Sequence, residues 1–192
     1  MAEAQGEIWL VRHGETAWSR DGRHTGRTDL PLTARGEDQA RALGGFLAGR
    51  RFALVLASPL VRARETCRLA GYAERARTTE DLREWDYGAY EGRTSADIVT
   101  EVPGWTLWTG GVPGGETAGE VAARARRVIA EAERAEGEVV LFAHGHVLRV
   151  LAACWLGLPP EAGGLFALGT ATCSVLAHEH GARVLSLWNR AP

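Results

Sequence analysis

Lysine is absent from this sequence. All 22 basic residues are arginine. That removes every chemistry needing a lysine amine: Schiff bases, pyridoxal phosphate anchoring and the lysine of a Walker phosphate loop. A coding bias accounts for the absence, in keeping with the many Ala and Gly residues, but the chemical exclusion holds whatever its origin. Cysteine is scarce as well. Cys67, Cys154 and Cys173 are odd in number, far apart and without CxxC spacing. They read as reduced thiols of a cytoplasmic protein, not as a disulfide framework or a zinc site. No apolar run approaches the length of a membrane span. Met1 to Glu7 is acidic and lacks a hydrophobic stretch, which argues against a signal peptide. The net charge of −2 and pI near 6.3 lack the basic excess of a nucleic-acid surface. What remains is 192 residues, 45% hydrophobic and 24% charged. That is enough for one domain that buries roughly 70% of its unfolded surface without staples.

The apolar patterning predicts a strand at Ile8 to Val11, ending at the polar cluster Arg12-His13-Gly14-Glu15. Pro31-Leu32-Thr33 introduces a helix whose apolar face is Ala40, Leu43, Phe46 and Leu47, with Gly49 as its stop. Phe52 to Ala57 predicts a second strand. Ser58-Pro59 reads as an N-cap with proline at the first helical position, opening a helix to about Ala70. Arg77 to Leu82 reads as a short strand. Glu138 to Ala143 predicts a strong strand ending at His144-Gly145, followed by a helix to about Leu156. Thr172 to Ala177 and Arg183 to Trp188 form a hairpin around His180-Gly181. Alternating strands and helices imply an α/β fold, a three-layer α/β/α sandwich around a mostly parallel sheet. Residues 1–192 read as a single domain. The stretch from about Asp86 to Glu116 breaks the alternation and reads as a short inserted lid ending in a flexible glycine loop, Gly110 to Gly115.

In open parallel sheets ligands bind beyond the carboxyl ends of the strands. Here those ends deliver Arg12 and His13, Ser58 with Arg62 in the next helical turn, and His144 with Gly145. Two arginines, two histidines and up to two helix N-termini suit a phosphate. One histidine can attack phosphorus through a neutral ring nitrogen, while the other, protonated, steadies the phosphoryl oxygens. Glu84, beside Trp85, is the best acid for the leaving alkoxide, with a pKa raised by its aromatic neighbour.

The segment LVRHGETAWSRDGRHTGRTDLPLT (Leu10 to Thr33) strongly resembles the opening of the histidine phosphatase superfamily, the phosphoglycerate mutase-like enzymes. SPLVRARET (Ser58 to Thr66), LREWDYGAYEG (Leu82 to Gly92) and FAHGHVLR (Phe142 to Arg149) continue the resemblance in the family's order. It implies His13 as a nucleophile that becomes phosphohistidine, Arg12, Arg62 and His144 as the phosphate pocket, and Glu84 as proton donor. It implies no metal and no other cofactor, and it carries a weak expectation of a homodimer. Ser19 stands where many members carry Asn, and its hydroxyl reaches less far toward phosphate. The short lid and the REWDYG block look most like the acid phosphatase and sedoheptulose bisphosphatase type, whereas the mutases have a longer insertion. The resemblance therefore favours hydrolysis of small phosphomonoesters, including sugar phosphates or bisphosphates. The rivals are a phosphoglycerate mutase and a non-catalytic phospholigand-binding module.

Other residues have two readings each. Arg149, one turn beyond His146, either holds a second anionic group of the substrate or makes a helix-surface salt bridge. His24, Thr25 and Gly26 either close over phosphate or form a plain loop. His144-Gly145-His146 and His178-Glu179-His180 have the alternating spacing of metal pairs. The chain turn separates the first pair and an exposed hairpin explains the second. Gly110 to Thr117 mimics a Walker loop with Glu116 in the lysine position, which would repel a nucleotide, so it reads as a lid hinge and helix start. Trp105 and Trp108, three apart, either pack within the lid or line the substrate mouth.

Overall fold

The computed structural model describes residues 6–192. Most of the acidic stretch Met1 to Glu7, namely residues 1–5, lies outside the described residues. Six strands form one sheet. In chain order they are β1 (Ile8–Arg12), β2 (Leu54–Ala57), β3 (Ala76–Thr78), β4 (Val139–Ala143), β5 (Cys173–Glu179) and β6 (Ala182–Arg190). Their order across the sheet is β3-β2-β4-β1-β5-β6. The first four are mutually parallel, and β5 and β6 join antiparallel at the edge. The chain reverses at His180 and Gly181, both at positive φ (51° and 81°), as a two-residue hairpin turn demands.

Helices cover both faces. They are α1 (Ala17–Arg20), α2 (Ala34–Phe46), α3 (Val61–Leu69), α4 (Ser95–Glu101), α5 (Leu107–Gly110), α6 (Ala118–Ala132) and α7 (Gly145–Trp155). The strands sort their side chains by the two-residue period. Ile8, Leu10, Leu141 and Ala143 pack with α6 and α7, while Trp9, Val11, Val140 and Phe142 pack with α2 and α3. The result is the three-layer sandwich that the patterning implied. The chain leaves β1 toward the α2 face and leaves β4 toward the α7 face. Neighbouring β1 and β4 thus form the switch point at which open α/β sheets bind ligands.

Three local expectations change. The helix after β2 starts at Val61 with Leu60 as N-cap and no side-chain cap. Ser58 is diverted: its hydroxyl meets His144 Nε2 at 2.7 Å and accepts the Leu60 N–H at 3.3 Å. The strand read at Arg77 to Leu82 is shorter, because Thr79 caps a 3-10 turn at Glu80–Leu82. The glycine run of the inserted stretch is clamped. Gly88 sits at φ 49°, where a Cβ would lie 2.3 Å from Pro113 O, and Pro113 O accepts the Ala89 N–H. These glycines serve close approach of the two ends of the insertion. As expected, a helix starts beyond them. Thr117 and Glu120 form the capping box of α6, a motif worth about 1 kcal/mol.

Candidate active site

His13 follows β1 directly and is 5% exposed. Its Nδ1 lies 2.7 Å from Gly14 O. A carbonyl only accepts, so Nδ1 carries the proton and Nε2 keeps its lone pair. Burial, then the charges of Arg62 and Arg12, hold the ring well below the ordinary histidine range, so it is neutral. The ring lines a pocket of about 240 Å³ with Arg12, Glu84, Gly145 and Arg149.

Arg12, the last residue of β1, donates through Nη1 to Leu168 O, while its Nε is buried without a partner among the described residues. Gly145 lets it lie there, since a Cβ would come within 3.3 Å of the guanidinium carbon. Arg62 is fully buried behind this pair and does not line the pocket. Four of its five N–H donors are engaged, by His144 Nδ1 (3.1 Å) and by the carbonyls of Thr28, Thr25 and Gly26.

His144 departs from expectation. It accepts from Arg62 through Nδ1, which a protonated ring cannot do, and its Nε2–H donates to Ser58 Oγ. Burial, then the charges of Arg62 and Arg12, push its pKa well down. Burial and the Arg62 donor on Nδ1 keep it neutral. Its ring stands edge-on to His13 at 5.1 Å.

The helix N-termini also differ. Both are taken by carboxylates of the chain itself. Glu84 accepts the N–H groups of His146 (3.0 Å) and Val147 (2.9 Å) at the start of α7, and that of Trp85. Asp29 accepts the Val61 N–H at the start of α3. Glu84 is therefore held by backbone donors rather than by an apolar wall. This aims one carboxylate at the pocket and leaves the Gly145 N–H for a ligand.

The remaining candidates divide. Ser19 borders the pocket, but its hydroxyl donates to Thr16 O within the capping box of α1. Thr25 borders it and donates to Arg23 O. The Gly26 N–H turns away to Glu91. Arg149 makes no salt bridge among the described residues. It donates to Gly163 O and Gly164 O and lies 4.6 Å above the Trp108 ring. Trp105 and Trp108 are packing residues, the first against His24 and Tyr90, the second against Trp85 and His146. Sequence reasoning missed the Tyr87 and His146 pair on the pocket wall, with Tyr87 Oη 2.6 Å from His146 Nδ1. The signal was present, because His146 opens the helix that follows His144. No group of three or more metal-ligating side chains occurs among the described residues.

Comparison with known proteins assigns the chain to a family. The family model of the histidine phosphatase superfamily, branch 1, matches residues 8–191, and the chain belongs to that superfamily. It is 42% identical to an acid phosphatase of Mycobacterium tuberculosis, over 94% of this chain and 90% of the relative. It is 37% identical to the sedoheptulose 1,7-bisphosphatase of Saccharomyces cerevisiae, over 78% of this chain and 67% of the relative. Among solved structures, a mycobacterial glucosyl-3-phosphoglycerate phosphatase in complex with VO3 superposes with TM-score 0.87 at 32% identity, over 97% of this chain and all of that one (100%). A Salmonella relative, 32% identical over 95% of this chain and 89% of its own length, carries the name probable phosphoglycerate mutase.

Proposed function

We propose that the protein hydrolyses small-molecule phosphomonoesters, sugar phosphates among them, through a phosphohistidine on His13. One observation carries this reading: a neutral His13, its Nδ1 proton fixed on Gly14 O, presents Nε2 to a pocket whose arginines have no carboxylate partner among the described residues. The names of the phosphatase relatives support the substrate class.

In the proposed cycle the His13 Nε2 lone pair attacks phosphorus and the bond from phosphorus to the alcohol oxygen breaks. Glu84 gives that oxygen a proton. The Glu84 carboxylate then takes a proton from water, which attacks the phosphohistidine, releases phosphate and regenerates His13. Arg12 brings its charge to the pocket wall and Gly145 lies against its guanidinium, so that this charge and the Gly145 N–H serve the phosphoryl oxygens. Arg62 adds its charge from beneath the pocket, and His144 holds its guanidinium in place. Preorganised donors of this kind are each worth about 10²–10³-fold in rate. Because His13 is held below its ordinary range, the nucleophile stays neutral at pH values where a free histidine is protonated. Ser19, Thr25 and Arg149 border the space for the rest of the substrate, and the 86–116 insertion is its lid. Gly26 shapes the loop that Arg62 holds.

A phosphate-release screen over sugar phosphates, sugar bisphosphates and nucleotides tests the reading. Wild type releases phosphate, with or without EDTA, and His13→Ala does not. Full activity in His13→Ala overturns it. Isomerisation of 3-phosphoglycerate without net phosphate release would make the protein a mutase, and tight phosphate binding without turnover would make it a binding module. No helix among the described residues is long and apolar enough to cross a membrane. The free, buried Cys67, Cys154 and Cys173 support a reducing cytoplasm. The homodimer rests on the family resemblance alone, and size-exclusion chromatography with light scattering decides it.

A further inference from the structure

The proposed cycle leaves one histidine of the pocket without a task. His146 is the second residue of α7. Its ring lines the pocket, with Nδ1 3.9 Å from Glu84 Oε2. The ring is fixed on several sides: Tyr87 Oη lies 2.6 Å from Nδ1, the Trp108 ring packs at 5.4 Å and the His24 ring at 6.0 Å. Burial and the Glu84 charge push the Tyr87 phenol well above its usual range, so it keeps its proton. Burial and Arg149 hold His146 well below its own, so the ring is neutral. The phenol O–H donates to Nδ1, and a neutral ring accepting there carries its proton on Nε2. Nε2 has no partner among the described residues. It is also not one of the buried unpartnered nitrogens, which are Arg12 Nε and His178 Nδ1. It is an open donor in the pocket wall.

The side of the pocket matters. Glu84, the proton donor to the alcohol oxygen, is the charged neighbour of this ring. The ring therefore borders the alcohol portion of the ester. We propose that His146 Nε2–H donates a hydrogen bond to a hydroxyl or ring oxygen of that portion, held in register by Tyr87, and so selects phosphate esters of polyols over aryl esters. This rests on the phosphatase reading. A neutral, preset donor suits an uncharged oxygen, and a site built to hydrogen-bond a substrate oxygen discriminates against analogues that lack it.

The test is the ratio of kcat/KM for a sugar monophosphate to that for p-nitrophenyl phosphate, whose aryl group has no hydroxyl beside the ester. The ratio is independent of the folded fraction. In His146→Phe, which keeps the stacked ring and removes both nitrogens, it falls about tenfold. Tyr87→Phe, which frees the ring to change tautomer, lowers it by a smaller factor. His146→Gln, which puts an amide N–H near the place of Nε2, recovers part of it. An unchanged ratio in His146→Phe and Tyr87→Phe, whether both esters suffer together or neither does, overturns the inference while leaving the phosphatase reading standing. Wild-type protein that hydrolyses neither ester overturns both.

Discussion

Arg62 and Arg124 are both buried arginines, yet the region beneath His13 and the seat of the 86–116 insertion use them in opposite ways. Among the described residues Arg62 meets only neutral acceptors, three carbonyls and His144 Nδ1. Arg124 is closed by Glu116 through two bonds of 2.8 and 2.9 Å, with the carbonyls of Asp81, Arg83 and Glu84 around it. The first keeps its net charge and depresses the His13 pKa. The second is neutralised and pins the end of the insertion to α6. The contrast extends outward. Arg12, Arg23 and Arg149 border the pocket without a carboxylate ion pair among the described residues, while Arg77 pairs with Glu131 and Arg127 with Asp81. Unneutralised charge, rather than arginine itself, marks the anion site in a chain whose only strong bases are arginines.

Substituting the two arginines separates these roles. Arg62→Met removes the charge beneath His13 and lowers kcat/KM on phosphate esters about 10³-fold, measured by steady-state kinetics. Arg124→Met strands Glu116, whose side chain is 26% exposed. The expected loss is about 2–3 kcal/mol in urea denaturation, with kcat/KM of the folded enzyme falling less than about tenfold. Equal kinetic losses in the two variants would break the comparison.

The neutral histidines give a pH signature. His13, His144 and His146 all have folded pKa values below the ordinary 6.5, with burial the largest cause. The unfolded chain therefore binds more protons between 6.5 and the folded values. Stability is intact above pH 6.5 and falls as pH drops through that window, by up to about 1.4 kcal/mol per pH unit for each histidine. Thermal melts from pH 7.5 to 5 check the sign, and a Tm that rises on acidification would contradict it.

Two smaller effects sharpen the picture. Arg124→Met combined with Glu116→Leu recovers about 1 kcal/mol over the single variant, because the stranded carboxylate is gone. The Asp86 N–H that Glu116 also accepts limits the recovery. Gly145→Ala presses a methyl to 3.3 Å from the Arg12 guanidinium carbon. It lowers kcat/KM by about two- to fivefold, equivalent to less than about 1 kcal/mol, with little change in urea midpoint.

The elements with strong local signals were legible in the sequence. Ile8 to Val11 and Glu138 to Ala143 announced themselves as apolar runs, Pro31-Leu32-Thr33 as the lead-in to α2, and His180-Gly181 as a turn. The four motif blocks brought His13, Arg12, Arg62, Glu84 and His144 to one sheet edge. What escaped depends on partners distant in the chain. Ser58 looked like a cap until His144 claimed its hydroxyl from 86 residues away. The starts of α3 and α7 looked like free phosphate sites until Asp29 and Glu84 filled them across 32 and 62 residues. His144 looked protonated because the pattern shows residue types and not the two arginine charges that press on it. The glycine run looked flexible because a sequence does not show which backbone passes within 3 Å.

The central claim is the covalent step at His13, and trapping the intermediate tests it most directly. Wild-type protein is mixed with a phosphate ester, quenched in alkali within milliseconds and digested for peptide mass spectrometry. An acid-labile, base-stable phosphoryl group on His13 in wild type, accumulating in Glu84→Gln when an aryl ester supplies a good leaving group and absent in His13→Gln, is the predicted result. Wild-type turnover with no phosphoryl group on His13 at any time point, or with one on another residue, would contradict it.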